Sequence, residues 1–169
     1  MIYLFYLAAA VALISTYMVI TRLNIVHALL YMVMSLLAVA LIFFFLGAPF
    51  IAAMEVIIYA GAIMVLFIFV VMMLNLGPQS VVQERQWFNL NTWRGLVGLA
   101  GILLVELIFA FRLGYIQPQT VTELTPHEVA LSLFGPYLLG VELASMLLLA
   151  GLVGAYHLGR EPERQERRV

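Results

Sequence analysis

Three carboxylates stand where carboxylates are expensive. Glu55, Glu106 and Glu142 each lie inside a long apolar run, and an ionisable side chain in such a run is costly and commonly tied to ion or proton movement or to a partner group. Counted along a helix from the nearer end of each run, they lie roughly 6, 7.5 and 9 Å deep, all on the same side. Insertion tolerates them: the third run holds thirteen Ile, Val, Leu and Phe residues, contributing about 4–8 kcal/mol against roughly 3 for one acid. Three chemistries fit. A carboxyl can bind and release a proton at a hydrated bundle interior, can remain a neutral acid bonded to a neighbouring helix, or, for Glu106 and Glu142, can meet a cation of another subunit. In the same third run, Tyr59-Ala60-Gly61-Ala62 is a small-residue weak point with a polar tip. His27 and His157 fall near one boundary on different runs, an arrangement that could hold a b-type haem. Each is within two residues of a helix end, however, so a wet headgroup position is the simpler reading, and His127 reads as solvated in a loop. No nucleophile–base motif, metal-ligand spacing or phosphate-cradling glycine loop occurs in the sequence.

The elements that must carry these residues are membrane spans. The 169 residues are 65% hydrophobic and 10% charged, whereas a soluble domain is about 45–50% apolar and about 25% charged. Five runs are long enough to cross a bilayer: Ile2–Thr21, Ile25–Leu46, Ile51–Leu74, Gly95–Phe111 and Pro136–Leu158. The expected fold is all-α, a single integral membrane domain over residues 1–169 with 159–169 as a tail. The first run has no basic n-region and no small-residue cleavage pattern before Arg22, so it reads as a retained helix. Breaks carry turn chemistry at Arg22-Leu23-Asn24, Gly47-Ala48-Pro49, Gly77-Pro78 and Gly135-Pro136, the last proline suiting a first helical turn. Thr125-Pro126-His127-Glu128 has the form of a capping box opening a short surface helix through Phe134. The loop Ser80–Trp93 reads as resting on the membrane surface or a partner, with Trp87 and Trp93 in the interfacial belt.

Absences in the composition are as useful. With no cysteine there is no disulfide, thiolate-held cluster or cysteine-bound zinc in this chain. A net charge of −1 leaves no basic footprint for nucleic acid. Glycines 95, 98 and 101, and separately 151 and 154, mark strips suited to close helix approach. Too few polar side chains are present for five helices to enclose a pathway alone. Partner helices are implied.

The run from Glu55 through Tyr59 and Gly61 to Asn75 resembles the signature helix of the J-subunit family of the proton-pumping NADH–quinone oxidoreductase, respiratory complex I, the bacterial counterpart of the mitochondrial sixth ND subunit. Val26-His-Ala-Leu-Leu-Tyr31, Glu84-Arg-Gln-Trp87 and the stretch from Leu133 to Gly151 resemble it too. The resemblance covers the first three spans and the fifth. It implies a multi-pass protein of the bacterial inner membrane with no redox centre or nucleotide site, beside the small A and K subunits, the H subunit and the antiporter-like N subunit. NADH, FMN, iron–sulfur clusters and quinone then belong to partner subunits. It also implies a π-bulge near Tyr59 and Gly61 whose rearrangement makes or breaks a hydrated proton path; Glu55, Glu106 and Glu142, read from their positions in the apolar runs alone, are further proton-path candidates.

Alternatives are a J-like subunit of a cation/proton antiporter or membrane-bound hydrogenase, a dihaem cytochrome using His27 and His157, and a scaffold. The chain is expected to be unstable by itself in lipid or detergent. Seven of the eight arginines, all but Arg112, fall on one side of the five spans, which places the N-terminus outside and the C-terminus in the cytoplasm. A topology reporter fused after Val169 is therefore expected to be active on the cytoplasmic side; periplasmic activity would overturn the span count or the orientation.

Overall fold

A computed structural model describes residues 2–22, 25–73, 90–114 and 124–159. Gly77-Pro78, Asn75, most of the Ser80–Trp93 loop with Glu84 and Trp87, and the tail after Gly159 lie outside the described residues. Among the described residues the chain is all-helical, and five of its helical rods are long and apolar enough to cross a membrane. It divides into two compact units, Met1–Leu124 and Thr125–Val169.

In the first unit, α1 (Ile2–Thr21) and α2 (Ile25–Phe45) form an antiparallel hairpin. Both are apolar on every face, as a helix solvated by lipid must be. Small side chains, Ala8 and Ala38 among them, are buried where the pair meets, so the backbones approach closely. Polar glue adds to this: the Thr16 and Ser35 hydroxyls share a hydrogen bond of 2.9 Å, and Ser35 also donates to the Ala12 carbonyl at 3.2 Å.

Helix α2 stops by a glycine cap. Gly47 takes φ 82°, its N–H bonds the Phe44 carbonyl, and Ala48 N–H reaches back to Phe43; this left-handed position favours glycine. Pro49 then opens the third rod, two residues earlier than the expected start at Ile51, because its fixed φ suits the first helical position. The rod is continuous over Pro49–Met73 but not uniform: α3 (Pro49–Glu55), a π-helix (Val56–Ile63) and α4 (Met64–Met73) follow one another without a break.

Helix α5 (Leu90–Gly114) is longer at both ends than the expected Gly95–Phe111. Trp93, expected in a loop, is inside the helix and meets His27 edge-on at 5.6 Å between ring centres. At the other end Phe111 meets Phe44 at 6.1 Å, Arg112 sits in the last turn, where a cation complements the helix dipole, and Gly114 closes the helix. These two ring contacts make α5 parallel to α2. Its buried residues Leu96, Leu103, Glu106 and Ala110 form one stripe, and Leu103 joins Ala8, Val11, Ala38 and Leu41 in the core between α1, α2 and α5. Leu124 N–H bonds the Gly47 carbonyl at 3.0 Å.

In the second unit, Thr125 caps α6 (Pro126–Leu133) by the expected box. Its hydroxyl accepts from Glu128 N–H at 3.3 Å, and the Glu128 carboxylate accepts from Thr125 N–H at 2.8 Å. Pro136 is not in the first turn of the next helix, as expected, but in the turn before it, and α7 begins at Leu138. A Cβ on Gly135 would sit 2.6 Å from the Leu131 carbonyl, so the backbone turns tightly there and the proline follows inside the turn.

Of the glycine strip on α5, only Gly95 meets a neighbour: an added Cβ would stand 2.7 Å from the Tyr31 hydroxyl, while Gly98 and Gly101 have nothing within 4 Å. Gly95→Ala is therefore expected to destabilise the assembled protein by about 1–3 kcal/mol through overpacking. Tyr31→Phe in the same chain should recover most of that loss, because the ring carbon beneath the hydroxyl is 3.9 Å away. Thermal inactivation of the single and double variants measures the cycle, and no recovery would overturn the contact.

Candidate functional site

The third rod holds three of the five residues singled out from the sequence. Glu55 is the last α-helical residue, Tyr59 and Gly61 lie in the π-helix, and Met64 closes it with its N–H directed to the Tyr59 and Gly61 carbonyls. A π-turn pairs each N–H with the carbonyl five residues back, so it contains one residue more per turn than the flanking α-helix, and such insertions gather at functional positions. Gly61 shows why this sequence accepts one. Five residues before it, the Val56 carbonyl oxygen would lie 3.1 Å from a Cβ at this position; the missing side chain lets the wide turn close. Ala60 and Ala62 add no bulk that resists it.

The π-helix buries none of its own side chains. Tyr59 is 49% exposed, and Val56, Ile57, Ile58 and Ile63 are exposed with it, while Glu55 is half-buried at the joint. The rod packs on α2 through α3, the π-helix and α4 alike. Its wide turn thus has one supported side and one side open to lipid or to another chain.

The other two acids are elsewhere. Glu106 is buried on α5 in the seam with α1 and α2, 1% exposed. Glu142 is exposed on α7 in the second unit, where the Ser145 hydroxyl bonds its backbone carbonyl at 2.8 Å rather than its carboxyl. Counted from the observed ends of their own helices, they lie about 9, 12 and 6 Å in, against the expected values of roughly 6, 7.5 and 9 Å. The longer α5, the earlier Pro49 start and the later Leu138 start account for the change.

His27, two residues into α2, is buried against Trp93 rather than exposed, and His157 lies in the other unit. Among the described residues no cluster of three or more potential metal ligands occurs. Sequence reasoning missed Tyr31, which is buried, carries the Arg22 guanidinium 5.4 Å from its ring centre and holds its hydroxyl against Gly95. It also missed the hydroxyls of Ser15, which is buried, and Ser35, which is half-buried. Their signal was weak, since single serines and tyrosines in apolar helices are common.

The fold and the π-turn together define a multi-spanning helical membrane protein whose third span carries a register insertion. Comparison with known proteins names its kind. Residues 15–158 match the family model for NADH-ubiquinone/plastoquinone oxidoreductase chain 6, and the chain belongs to this family. It is 55% identical over 168 residues to the NADH-quinone oxidoreductase subunit J of Pseudomonas aeruginosa, covering 95% of this chain and 98% of that one. It is 52% identical over 162 residues to the subunit J of Escherichia coli strain K12, covering 96% and 88%. The subunit J of Buchnera aphidicola subsp. Schizaphis graminum is 45% identical over 161 residues, covering 94% and 98%.

Proposed function

We propose that the chain serves an NADH–quinone oxidoreductase as a membrane subunit whose third span is the moving part in coupling quinone reduction to proton translocation. Membership of the family carries the first half of that statement, and the relatives named above are oxidoreductase subunits rather than antiporter or hydrogenase subunits. It is a multi-pass protein of the bacterial inner membrane. We assign the N-terminus to the outside and the C-terminus to the cytoplasm, both units to one membrane domain, and the contacts of the exposed helix faces to the small A and K subunits, the H subunit and the antiporter-like N subunit. NADH, FMN, iron–sulfur clusters and quinone are assigned to partner subunits.

The observation that carries the second half is the π-helix Val56–Ile63. Converting its i→i−5 pairing to i→i−4 removes one residue from the wide turn, which rotates one flank of the rod against the other by about 100° and slides it by about 1.5 Å. Glu55 stays with α3 while Tyr59 and everything after it turns. A phenol hydroxyl beside a carboxyl in one register is carried away from it in the other, so a hydrogen-bonded water chain at this level is completed or interrupted by the shift. Neither state leaves a backbone group unpaired, which keeps the two close in energy. Glu142 is assigned a role against a polar or cationic group of a neighbouring subunit.

Gly61 sets the balance. Valine or leucine there crowds the Val56 carbonyl and, by about 1–3 kcal/mol, disfavours the π-register; a β-branched residue is also stiff at χ1. Alanine is milder but not silent, because its Cβ alone lies at 3.1 Å. NADH-driven proton uptake per assembled complex is expected to fall by about tenfold in Gly61→Val, a shift worth about 1.4 kcal/mol, less in Gly61→Ala, and little in Gly98→Ala, where the added methyl has open space. Equal pumping by wild type and Gly61→Val at equal assembly would reduce the rod to packing.

A further inference from the structure

Beyond the third rod, the first unit buries a second set of polar groups that the coupling reading does not use. Both carboxyl oxygens of Glu106, the Ser15 hydroxyl and the Tyr31 hydroxyl are buried without a hydrogen-bond partner among the described residues. Ser15 is 0% and Tyr31 1% exposed. More than about 90% of buried polar groups in folded proteins are satisfied by protein or by ordered water, and each orphan costs about 1–3 kcal/mol. Ser15, Tyr31 and Glu106 lie on α1, α2 and α5 respectively, the three helices that pack together.

We propose that Glu106 is a proton-binding site served by water through a ladder of hydroxyls on the α1–α2 hairpin beside α5, Tyr31 first, then the part-buried Ser35 with the exposed Thr16, and the buried Ser15.

The charge argument comes first. Among the described residues no cation pairs with the Glu106 carboxyl. Arg112 on the same helix is exposed and lies six residues further on, about 9 Å away along the axis. Arg22 and His27 stand at the opposite end of the hairpin, where Arg22 faces the Tyr31 ring and His27 faces Trp93. An unpaired buried charge is far costlier than a neutral acid, so the carboxyl carries its proton. A neutral acid still has one O–H to donate and an oxygen to accept, and ordered water supplies both where protein does not.

Spacing comes second. The Tyr31 hydroxyl lies against Gly95, eleven residues and therefore about 16 Å before Glu106 on α5. Between them, the Thr16 and Ser35 hydroxyls are joined at 2.9 Å, with Ser15 next in sequence to Thr16. Ser35 is one helical turn beyond Tyr31, so the two gaps measure about 6 and 10 Å along the axis; the first takes about one hydrogen-bonded water and the second, which passes the apolar core at Leu103, Val11 and Ala38, about three in file. The bound ligand is thus a proton, and on release it passes to the adjacent water.

The test is infrared spectroscopy of the assembled oxidoreductase in lipid, comparing wild type with Glu106→Gln and following exchange into D2O. The choice of preparation rests on the functional reading above. A carbonyl stretch of a protonated carboxyl is expected in wild type, lost in Glu106→Gln, displaced in Glu106→Asp, and shifted by D2O. In Ser15→Ala/Ser35→Ala the D2O shift is expected to slow by about tenfold, the effect of about one lost hydrogen bond in the relay. An unchanged carboxyl region in Glu106→Gln would show an ionised, paired Glu106 and sink the proposal. So would a band that does not exchange, or that exchanges at the wild-type rate without the serines, since either is the behaviour of an acid bonded back to its own helix. Absence of NADH–quinone turnover in the wild-type preparation would fail the functional reading instead, leaving the band to report on Glu106 alone.

Discussion

In hydrocarbon every backbone N–H and C=O must find its partner within protein, and the rest of this structure follows from that requirement. It forbids a loop or a broken strand at membrane depth and leaves only helices, here five rods apolar enough to cross. It also limits how a span can change shape. Melting a turn would strand several polar groups in lipid at a cost of several kcal/mol, but exchanging α for π pairing moves hydrogen bonds between carbonyls without leaving any unpaired. The π-helix Val56–Ile63 is the one described segment where this exchange is already half made.

Helix α2 is the wall against which such a change has to work. On one side it packs against the third rod, and on the other against α1 and α5. The hairpin side is locked by side chains of fixed reach: the Thr16–Ser35 hydroxyl pair, the Tyr31 hydroxyl on Gly95, the His27–Trp93 and Phe44–Phe111 ring contacts. Rotation in the third rod therefore has little freedom to pass into the hairpin. The proposed shift would be directed to the open side, where Tyr59 and its apolar neighbours are exposed, and there it would alter the surface offered to lipid or to another subunit.

Much of the fold was legible because hydrophobic length and turn chemistry are local. The first span ends at Thr21 as expected, and the Thr125–Glu128 box forms as written. Errors arose at ends, where proline and glycine have more than one use: Pro49 starts a helix earlier than the apolar run suggested, and Pro136 sits in a turn. The π-turn was legible only through resemblance. From the residues alone, Tyr59-Ala60-Gly61-Ala62 is a weak point that tilt or insertion could equally explain, since register is decided by the contact of Gly61 with a carbonyl five residues away. Burial of Glu106 was illegible for another reason: every face of α5 is apolar, so periodicity does not say which stripe meets α1 and α2.

The position of Glu55 at the joint, rather than inside the wide turn, bears on how an acid and a switch can be combined. A carboxyl within a segment that changes register would have its own backbone pairing and its surroundings altered together, and its protonation would depend on both. Glu55 belongs to α3, whose pairing is the same in either register, and its half-buried setting is shared with Pro49-anchored backbone that Gly47 and Ala48 hold against α2. Tyr59, about one turn of chain further on, is what the proposed shift would move. In the proposed register shift, a fixed acid and a moving hydroxyl would separate the two tasks: the first would hold the proton's position and the second would decide whether water reaches it. In the hairpin seam Glu106 and the hydroxyls of Ser15, Ser35 and Tyr31 all sit on helices held by the Thr16–Ser35 and Tyr31–Gly95 contacts, so the hydration proposed there would be set by packing rather than by a change of helical register.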